Sequence, residues 1–346
     1  MKTYNIAIVG ATGAVGRELI RVLEESAFPI KTFVPLASLN SAGTFIKAFG
    51  KDYEVLETTH DIFAQAQIDI AFFSAGGSIS EIFAKSAAKT ALVIDNTSFF
   101  RLHLDVPLVV PEVNADEIFN APSNIIANPN CSTIQMVHIL NPLHLAFGIE
   151  SVNVSTYQAV SGAGNKGIES LKSELKVALE LLEQNPKAHL DKELSKGAFA
   201  YPIAFNAIPH IDVFNENGFT KEELKMVHET HKIMQASFAI SATCVRVPIL
   251  RSHSESLSIR FSKEVSAKEA REVLEKAPNV IVQDDPSNQF YPMALTASGS
   301  DSTFVGRIRE DLFDKQTLHC FCVADQLRVG AATNALKIAW RYIERS

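Results

Sequence analysis

The chain has 346 residues, 47% hydrophobic and 21% charged, with a formal net charge of −7. That length exceeds one compact core and suits two domains, while the acidic balance argues against nucleic acid or an anionic membrane as the main partner, so any basic anion site must be local. No apolar run approaches a membrane span, and the N-terminus enters a strand pattern at once with no room for a signal peptide, so cytoplasmic residence is the expectation.

Residues 4–9 form a β-rich run that leads into Gly10-Ala11-Thr12-Gly13-Ala14-Val15-Gly16, and residues 17–25 carry helical spacing through Leu19, Ile20 and Leu23. A glycine triplet between strand and helix is the context of a dinucleotide fingerprint. The glycines allow a tight turn and let backbone approach pyrophosphate, whose charge the helix N-terminus receives. Gly10, Thr12, Gly13, Ala14, Val15 and Gly16 are therefore the first cofactor-binding candidates. Further strands are expected at 31–36, 54–57, 68–74 and 92–95, with a helix at 79–88. This alternation predicts an α/β, Rossmann-like doubly wound parallel sheet over residues 1–130. The segment after the second strand, Ser38-Leu39-Asn40-Ser41-Ala42-Gly43-Thr44, offers no carboxylate for a ribose 2′-hydroxyl and no arginine for a 2′-phosphate. Its hydroxyl and amide groups, with Asn40 and Ser41 among them, tolerate the phosphate, which favours NADP over NAD.

Past residue 130 the texture changes. Asn128-Pro129-Asn130-Cys131-Ser132-Thr133 reads as a turn that ends where a helix over 131–147 begins, bent at Pro142. A cysteine at a helix N-terminus lies among unpaired N–H groups, and the dipole favours its thiolate, so Cys131 is the candidate nucleophile. The competing reading is that a free cysteine is a small buried hydrophobe. Cys244, Cys320 and Cys322 form no CxxC pair and have no partners at zinc spacing, so no metal site is expected. A strand is expected at 152–159, a glycine-rich turn at 161–167, helices at 167–183 and 221–234, and an irregular stretch with three prolines at 185–217. Strands near 239–248, 256–261, 280–282 and 304–309 complete an α+β domain over 131–325, and a last helix, within 326–346, is expected to return to the first domain.

Six blocks in this order resemble bacterial aspartate-semialdehyde dehydrogenases nearly end to end. They are Gly10–Gly16; Ser38-x-x-Ser41-Ala-Gly43; Asp95-Asn96-x-Ser98-x-x-Arg101; Asn128-Pro-Asn-Cys131-Ser-Thr; Tyr157-Gln158-Ala-Val-Ser161-Gly162-Ala-Gly164; and Cys244-Val-Arg246-Val-Pro with His253-Ser-Glu255. The departure is Asn40, where many members carry an arginine for the 2′-phosphate. The resemblance implies NADP-dependent conversion of L-aspartate 4-semialdehyde and phosphate to 4-phospho-L-aspartate, reversed in lysine, threonine, methionine and diaminopimelate biosynthesis. It also implies a homodimer, with the second domain as the catalytic and dimerisation domain.

Carried onto this chain, the resemblance makes Cys131 the attacking thiolate and His253 the general base, as imidazole titrates near the working pH. It gives Arg246 the substrate carboxylate, Glu222 the ammonium and Gln158 the substrate chain, while Arg101 and Lys225 take phosphate. Ser161, Gly162 and Gln326 would stand near the nicotinamide, and Asn130 would orient or stabilise an oxyanion. Each has a plain structural alternative: a solvated loop histidine, a solvent-facing strand arginine, or a Glu/Lys pair on a helix surface. Two other functions compete. One is N-acetyl-γ-glutamyl-phosphate reductase or another thioester-forming aldehyde dehydrogenase, and the other is a nucleotide-sensing protein without catalysis. Arg246 with Glu222 favours a substrate with a free amino-acid end.

Overall fold

The computed structural model describes residues 2–345; residues 1 and 346, the outer limits of the expected domain ranges, lie outside the described residues. The chain forms two compact units. The first holds the segment ending at Val137, His228–Ala236 and the segment from Arg328 onward; the second holds His138–Val227 and Ser237–Leu327. The first division thus falls after Val137 rather than after residue 130, because the cysteine turn is anchored by residues of the first unit. Cys131 belongs with the nucleotide-binding sheet, not with the 131–325 range expected for it.

In the first unit the strands are β1 (Tyr4–Val9), β2 (Ile30–Ala37), β3 (Phe45–Ala48), β4 (Lys51–Glu54), β5 (Leu56–Glu57), β6 (Ile70–Phe73), β7 (Leu92–Asp95) and β8 (Ile125–Ala127). Six form a parallel sheet in the order β5-β2-β1-β6-β7-β8, and β3 pairs antiparallel with β4. The single strand expected at 54–57 is two pieces in two sheets. β8, three residues long, gave no periodic signal. The order reverses at β1, so the crevice beyond its carboxyl end is the switch point where such sheets take ligands. All six β1 residues are buried, as a strand covered on both faces requires.

The numbered helices are α1 (Ala14–Glu25), α2 (Gly77–Ala87), α3 (Cys131–Phe147), α4 (Gly164–Gln184), α5 (Lys221–Met234), α6 (Ala267–Leu274) and α7 (Thr333–Glu344); single turns are left unnumbered. The C-terminal segment is a π-helical turn, Arg328–Ala332, followed by α7, rather than one continuous helix. Ala332, Ala335, Leu336, Ile338 and Ala339 join Ile6, Ile8, Leu19 and Leu23 in the core of the first unit. Trp340 meets Phe28 edge-on at 5.0 Å.

The second unit is built on a mixed sheet of β9 (Ile149–Gln158), β10 (Ala239–Arg246), β11 (His253–Phe261), β12 (Val280–Val282), β13 (Thr303–Glu310) and β14 (Thr317–Ala324), in the order β10-β9-β11-β14-β13-β12. Along β9 the side chains alternate, with Val152, Val154, Thr156 and Gln158 buried and Asn153 and Tyr157 exposed. β10 runs parallel to β9 and sets Arg246 opposite Gln158. β11 begins at His253, three residues before the strand expected at 256–261, so this histidine is a strand residue and not part of a loop. Gln158, Arg246 and His253 therefore lie where three neighbouring strands, β9, β10 and β11, end or begin.

Candidate active site

In the first unit, Gly10 ends β1 with φ +90°, and a Cβ there would stand 2.9 Å from the Ala75 nitrogen. A Cβ at Gly16 would collide with the Gly10 carbonyl. The two glycines thus permit the loop to fold tightly on itself. Gly13 is the N-cap of α1, Ala14 its first residue, and the first turn carries no acidic side chain, so its dipole is left for an anion. Gly10, Thr12 and Gly13 line a cleft of about 580 Å³ with Ala37, Ser38, Leu39, Glu57 and Thr58. This cradle fits a dinucleotide. Asn40 and Ser41 fall in the adjoining turn, outside the residues that line the cleft. Sequence reasoning missed Glu57. It lies on β5, opposite Ala37 of β2, and so brings to the cleft a carboxylate that the 38–44 segment lacks. Strand pairing across twenty residues supplied it, and no local motif could have shown it.

The cysteine turn is held by buried polar groups. The Asn130 side-chain oxygen accepts from the N–H groups of Ser132 at 2.9 Å and Thr133 at 3.2 Å, which caps α3. The Asn130 N–H donates to Glu229 at 2.6 Å. Glu229 in turn pairs with Arg101 at 3.0 Å, whose Nε donates to the Asn128 carbonyl and whose Nη2 donates to that of Asn96. A guanidinium has five N–H donors, and among the described residues these bonds engage three. Asp95, near Arg101, accepts from the Ser80 hydroxyl and from the Thr97 N–H and hydroxyl. Burial pushes its carboxyl above the usual range, against the pull of those hydrogen bonds. Of the four cysteines, all free, Cys131 alone is not buried. Burial pushes the Cys320 thiol up to about 12 and raises that of Cys244 too, so neither is suited to attack.

In the second unit, His253 is fully buried, and its Nδ1 accepts from the Ala159 N–H at 3.0 Å. A backbone N–H can only donate, so the neutral ring carries its hydrogen on Nε2. Nε2 meets no protein partner among the described residues. Burial, and next to it the Arg246 guanidinium, hold His253 well below the ordinary histidine value. In this tautomer Nε2, itself buried, carries a hydrogen that it can donate. Gly162 makes the constellation possible, since a Cβ there would stand 2.9 Å from Arg246 Nη1 and 3.2 Å from His253 Nε2.

Arg246 is buried, donates to the Ala159 carbonyl at 2.6 Å and lies over the Phe199 ring at 5.6 Å. Gln158 donates to Glu222 at 3.3 Å. Lys225 bonds Glu222 at 3.1 Å and Asp212 at 2.7 Å. Burial disfavours its ammonium, but the two carboxylates outweigh this and raise its pKa. Lys225 thus stands between the carboxylates of Asp212 and Glu222. Gln326, expected over the nicotinamide, props the histidine turn in this structure. It accepts from the Ser252 N–H at 2.7 Å and donates to the Ser161 hydroxyl, which itself donates to the Leu250 carbonyl. Ser252, at φ +73°, is the left-handed residue that turns the chain into His253.

Residues 5–121 match the NAD binding domain of semialdehyde dehydrogenases, and residues 140–329 match their dimerisation domain. The chain is 74% identical to an aspartate-semialdehyde dehydrogenase of Helicobacter pylori over 346 residues, 100% of both chains. It is 54% identical to that of Campylobacter jejuni over 345 residues, 99% of this chain and 98% of the relative. Among solved structures, aspartate semialdehyde dehydrogenase II of Vibrio cholerae, complexed with ASA, aligns with a TM-score of 0.91 at 40% identity and 99% coverage of each chain.

Two outcomes are expected. Glu57→Gln removes a negative charge from the cleft and shifts the ratio of NADP to NAD affinity toward NADP by about fivefold, measured by fluorescence titration; an unchanged ratio removes Glu57 from the adenosine end. Nitrogen-15 NMR finds His253 neutral at pH 7 with its hydrogen on Nε2, and Arg246→Gln raises its pKa because a cation that opposes protonation is gone. A ring protonated on Nδ1 at pH 7 contradicts this assignment.

Proposed function

The chain belongs to the aspartate-semialdehyde dehydrogenase family, and from that premise we propose that it interconverts L-aspartate 4-semialdehyde plus phosphate with 4-phospho-L-aspartate, using NADP, in amino-acid biosynthesis. The observation that carries the residue assignment is Cys131, which stands partly exposed at the first turn of α3 on a turn braced by buried charges.

In the oxidative direction the Cys131 thiolate attacks the aldehyde carbon, forming a C–S bond and placing negative charge on the carbonyl oxygen. Once the carbon is oxidised to a thioester, phosphate attacks it. The C–S bond then breaks, the thiolate departs as a good leaving group, and the phosphate proton passes to solvent. When bound, NADP supplies the hydride acceptor, and in reverse the donor; the Gly10–Gly16 loop, with Ser38 and its neighbours, would hold it. His253 serves the substrate oxygen as a neutral hydrogen-bond donor through Nε2, which stabilises charge as it develops there. Arg246 pairs with the α-carboxylate, Glu222 receives the ammonium, and Gln158 orients the chain between them. Arg101 binds phosphate through its guanidinium, and Lys225 reaches phosphate by releasing Asp212. Asn130 acts through the cap that fixes Cys131, and Ser161 and Gln326 act through the turn that fixes His253.

The match to a dimerisation domain supports a homodimer. The outward row Ser151, Asn153, Ser155 and Tyr157 of β9 adjoins Ser241 and Thr243 of β10 and Ser256 and Ser258 of β11. Apart from Tyr157 these side chains are small, and all are uncharged, which suits close approach of a second copy. Four free cysteines agree with a reducing, cytoplasmic setting, and among the described residues no helix is long and apolar enough to cross a membrane.

Nicotinamide absorbance should rise on mixing the semialdehyde, NADP and protein only when phosphate is present, and Cys131→Ala should lose several orders of magnitude in kcat. Faster turnover of N-acetyl-glutamate semialdehyde would overturn the substrate assignment. In sedimentation the protein should run at twice the 37.9 kDa chain mass. Ser155→Arg should shift it toward the monomer; an unshifted dimer places the interface elsewhere.

A further inference from the structure

The five residues of the π-helical turn Arg328–Ala332 are all buried. Such turns are rare and are often found at functional sites. Here the turn lies against the nucleophile. A Cβ on Gly330 would stand 2.6 Å from the Cβ of Cys131 and 3.0 Å from its Cα. Gly330 is not among the residues with positive φ, so the backbone alone would accept alanine, and only the contact with Cys131 demands glycine.

Two residues earlier, Arg328 is 5% exposed. Its Nη1 donates to Glu18 and to Glu25 at 3.3 Å each, and its Nη2 pairs with the second Glu25 oxygen. Both carboxylates belong to α1, the helix whose N-terminus carries the dinucleotide loop. Past the turn, Asn334 donates to the Asn128 side chain at 2.7 Å and to the Val109 carbonyl at 2.9 Å. The C-terminal segment therefore touches the cysteine turn twice and grips α1 once, with a buried ion pair as the grip.

We propose that Gly330 and Arg328 are positioning residues for the nucleophile: Gly330 seats Cys131, and Arg328 ties that seat to α1, so that cofactor binding at the loop alters the setting of the Cys131 sulfur. The proposal rests on Cys131 being the nucleophile. Arg328 acts through the π turn at one end and α1 at the other.

The test compares full-length wild type with Gly330→Ala, Arg328→Met, Arg328→Lys, Glu25→Gln and Cys131→Ala. Steady-state kinetics are combined with the rate at which iodoacetamide labels the Cys131 peptide, across a pH series and with or without NADP. Gly330→Ala should lower kcat about a hundredfold. It should leave KM for the semialdehyde within about threefold and displace the pH profile of labelling. NADP should change the labelling rate in wild type, Arg328→Met should abolish that change, and Arg328→Lys should restore part of it. Glu25→Gln should fall between wild type and Arg328→Met. Wild-type kcat and labelling in Gly330→Ala overturn the seat. An NADP response that persists in Arg328→Met, or is absent from wild type, overturns the tie. Should Gly330→Ala fail to fold, the Arg328 and Glu25 variants carry the test. Phosphate-dependent turnover in Cys131→Ala removes the nucleophile reading and this proposal with it; an inactive Cys131→Ala beside an unaffected Gly330→Ala removes the proposal alone.

Discussion

Glu229 is a carboxylate with 1% exposure that accepts the Arg101 guanidinium on one oxygen and the Asn130 N–H on the other. Removing one partner of a buried ion pair costs about 3–5 kcal/mol, because the survivor is stranded away from water. Here the survivor would be Arg101, which also holds the carbonyls of Asn128 and Asn96. Lys232, one turn further along the same helix, adds bonds to the carbonyls of Arg101, His103 and Val106. The turn that delivers Cys131 is thus fixed by charge and directed hydrogen bonds. Apolar packing, being non-directional, could bury such a turn but could not aim it.

The second unit uses a different principle. His253 and Arg246 are neighbours with only Gly162's missing side chain between them and the space they share. Burial, with a permanent cation beside it, keeps the imidazole neutral, and the Ala159 N–H decides which nitrogen holds the hydrogen. Nearby, two carboxylates surround one ammonium at Lys225. The unit therefore holds a buried guanidinium at Arg246 and carboxylates at Glu222 and Asp212.

The dinucleotide loop, the parallel sheet and the cysteine at a helix start were legible because each is written within a few consecutive residues: Gly10 to Gly16, the strand–helix alternation, Asn128 to Thr133. What escaped depends on contacts across long stretches of chain. Glu229, Glu57 and Gly330 look ordinary in their own segments, a helix-surface acid, an edge-strand acid and a glycine in an apolar helical run. Their importance comes from Asn130, Ala37 and Cys131, which are 99, 20 and 199 residues away. For His253, the nitrogen that holds the hydrogen is set by a single backbone group 94 residues distant, which no local pattern displays.

That tautomer also bears on inhibitor chemistry. A compound that fills the histidine corner must bring an acceptor, such as a sulfonyl or phosphonate oxygen, to the Nε2 hydrogen. A protonated amine offered there finds a donor facing a donor, with the Arg246 guanidinium adding its own repulsion. Affinity in this corner should follow the basicity of the acceptor oxygen in a compound series, and each added proton on the ligand should weaken it.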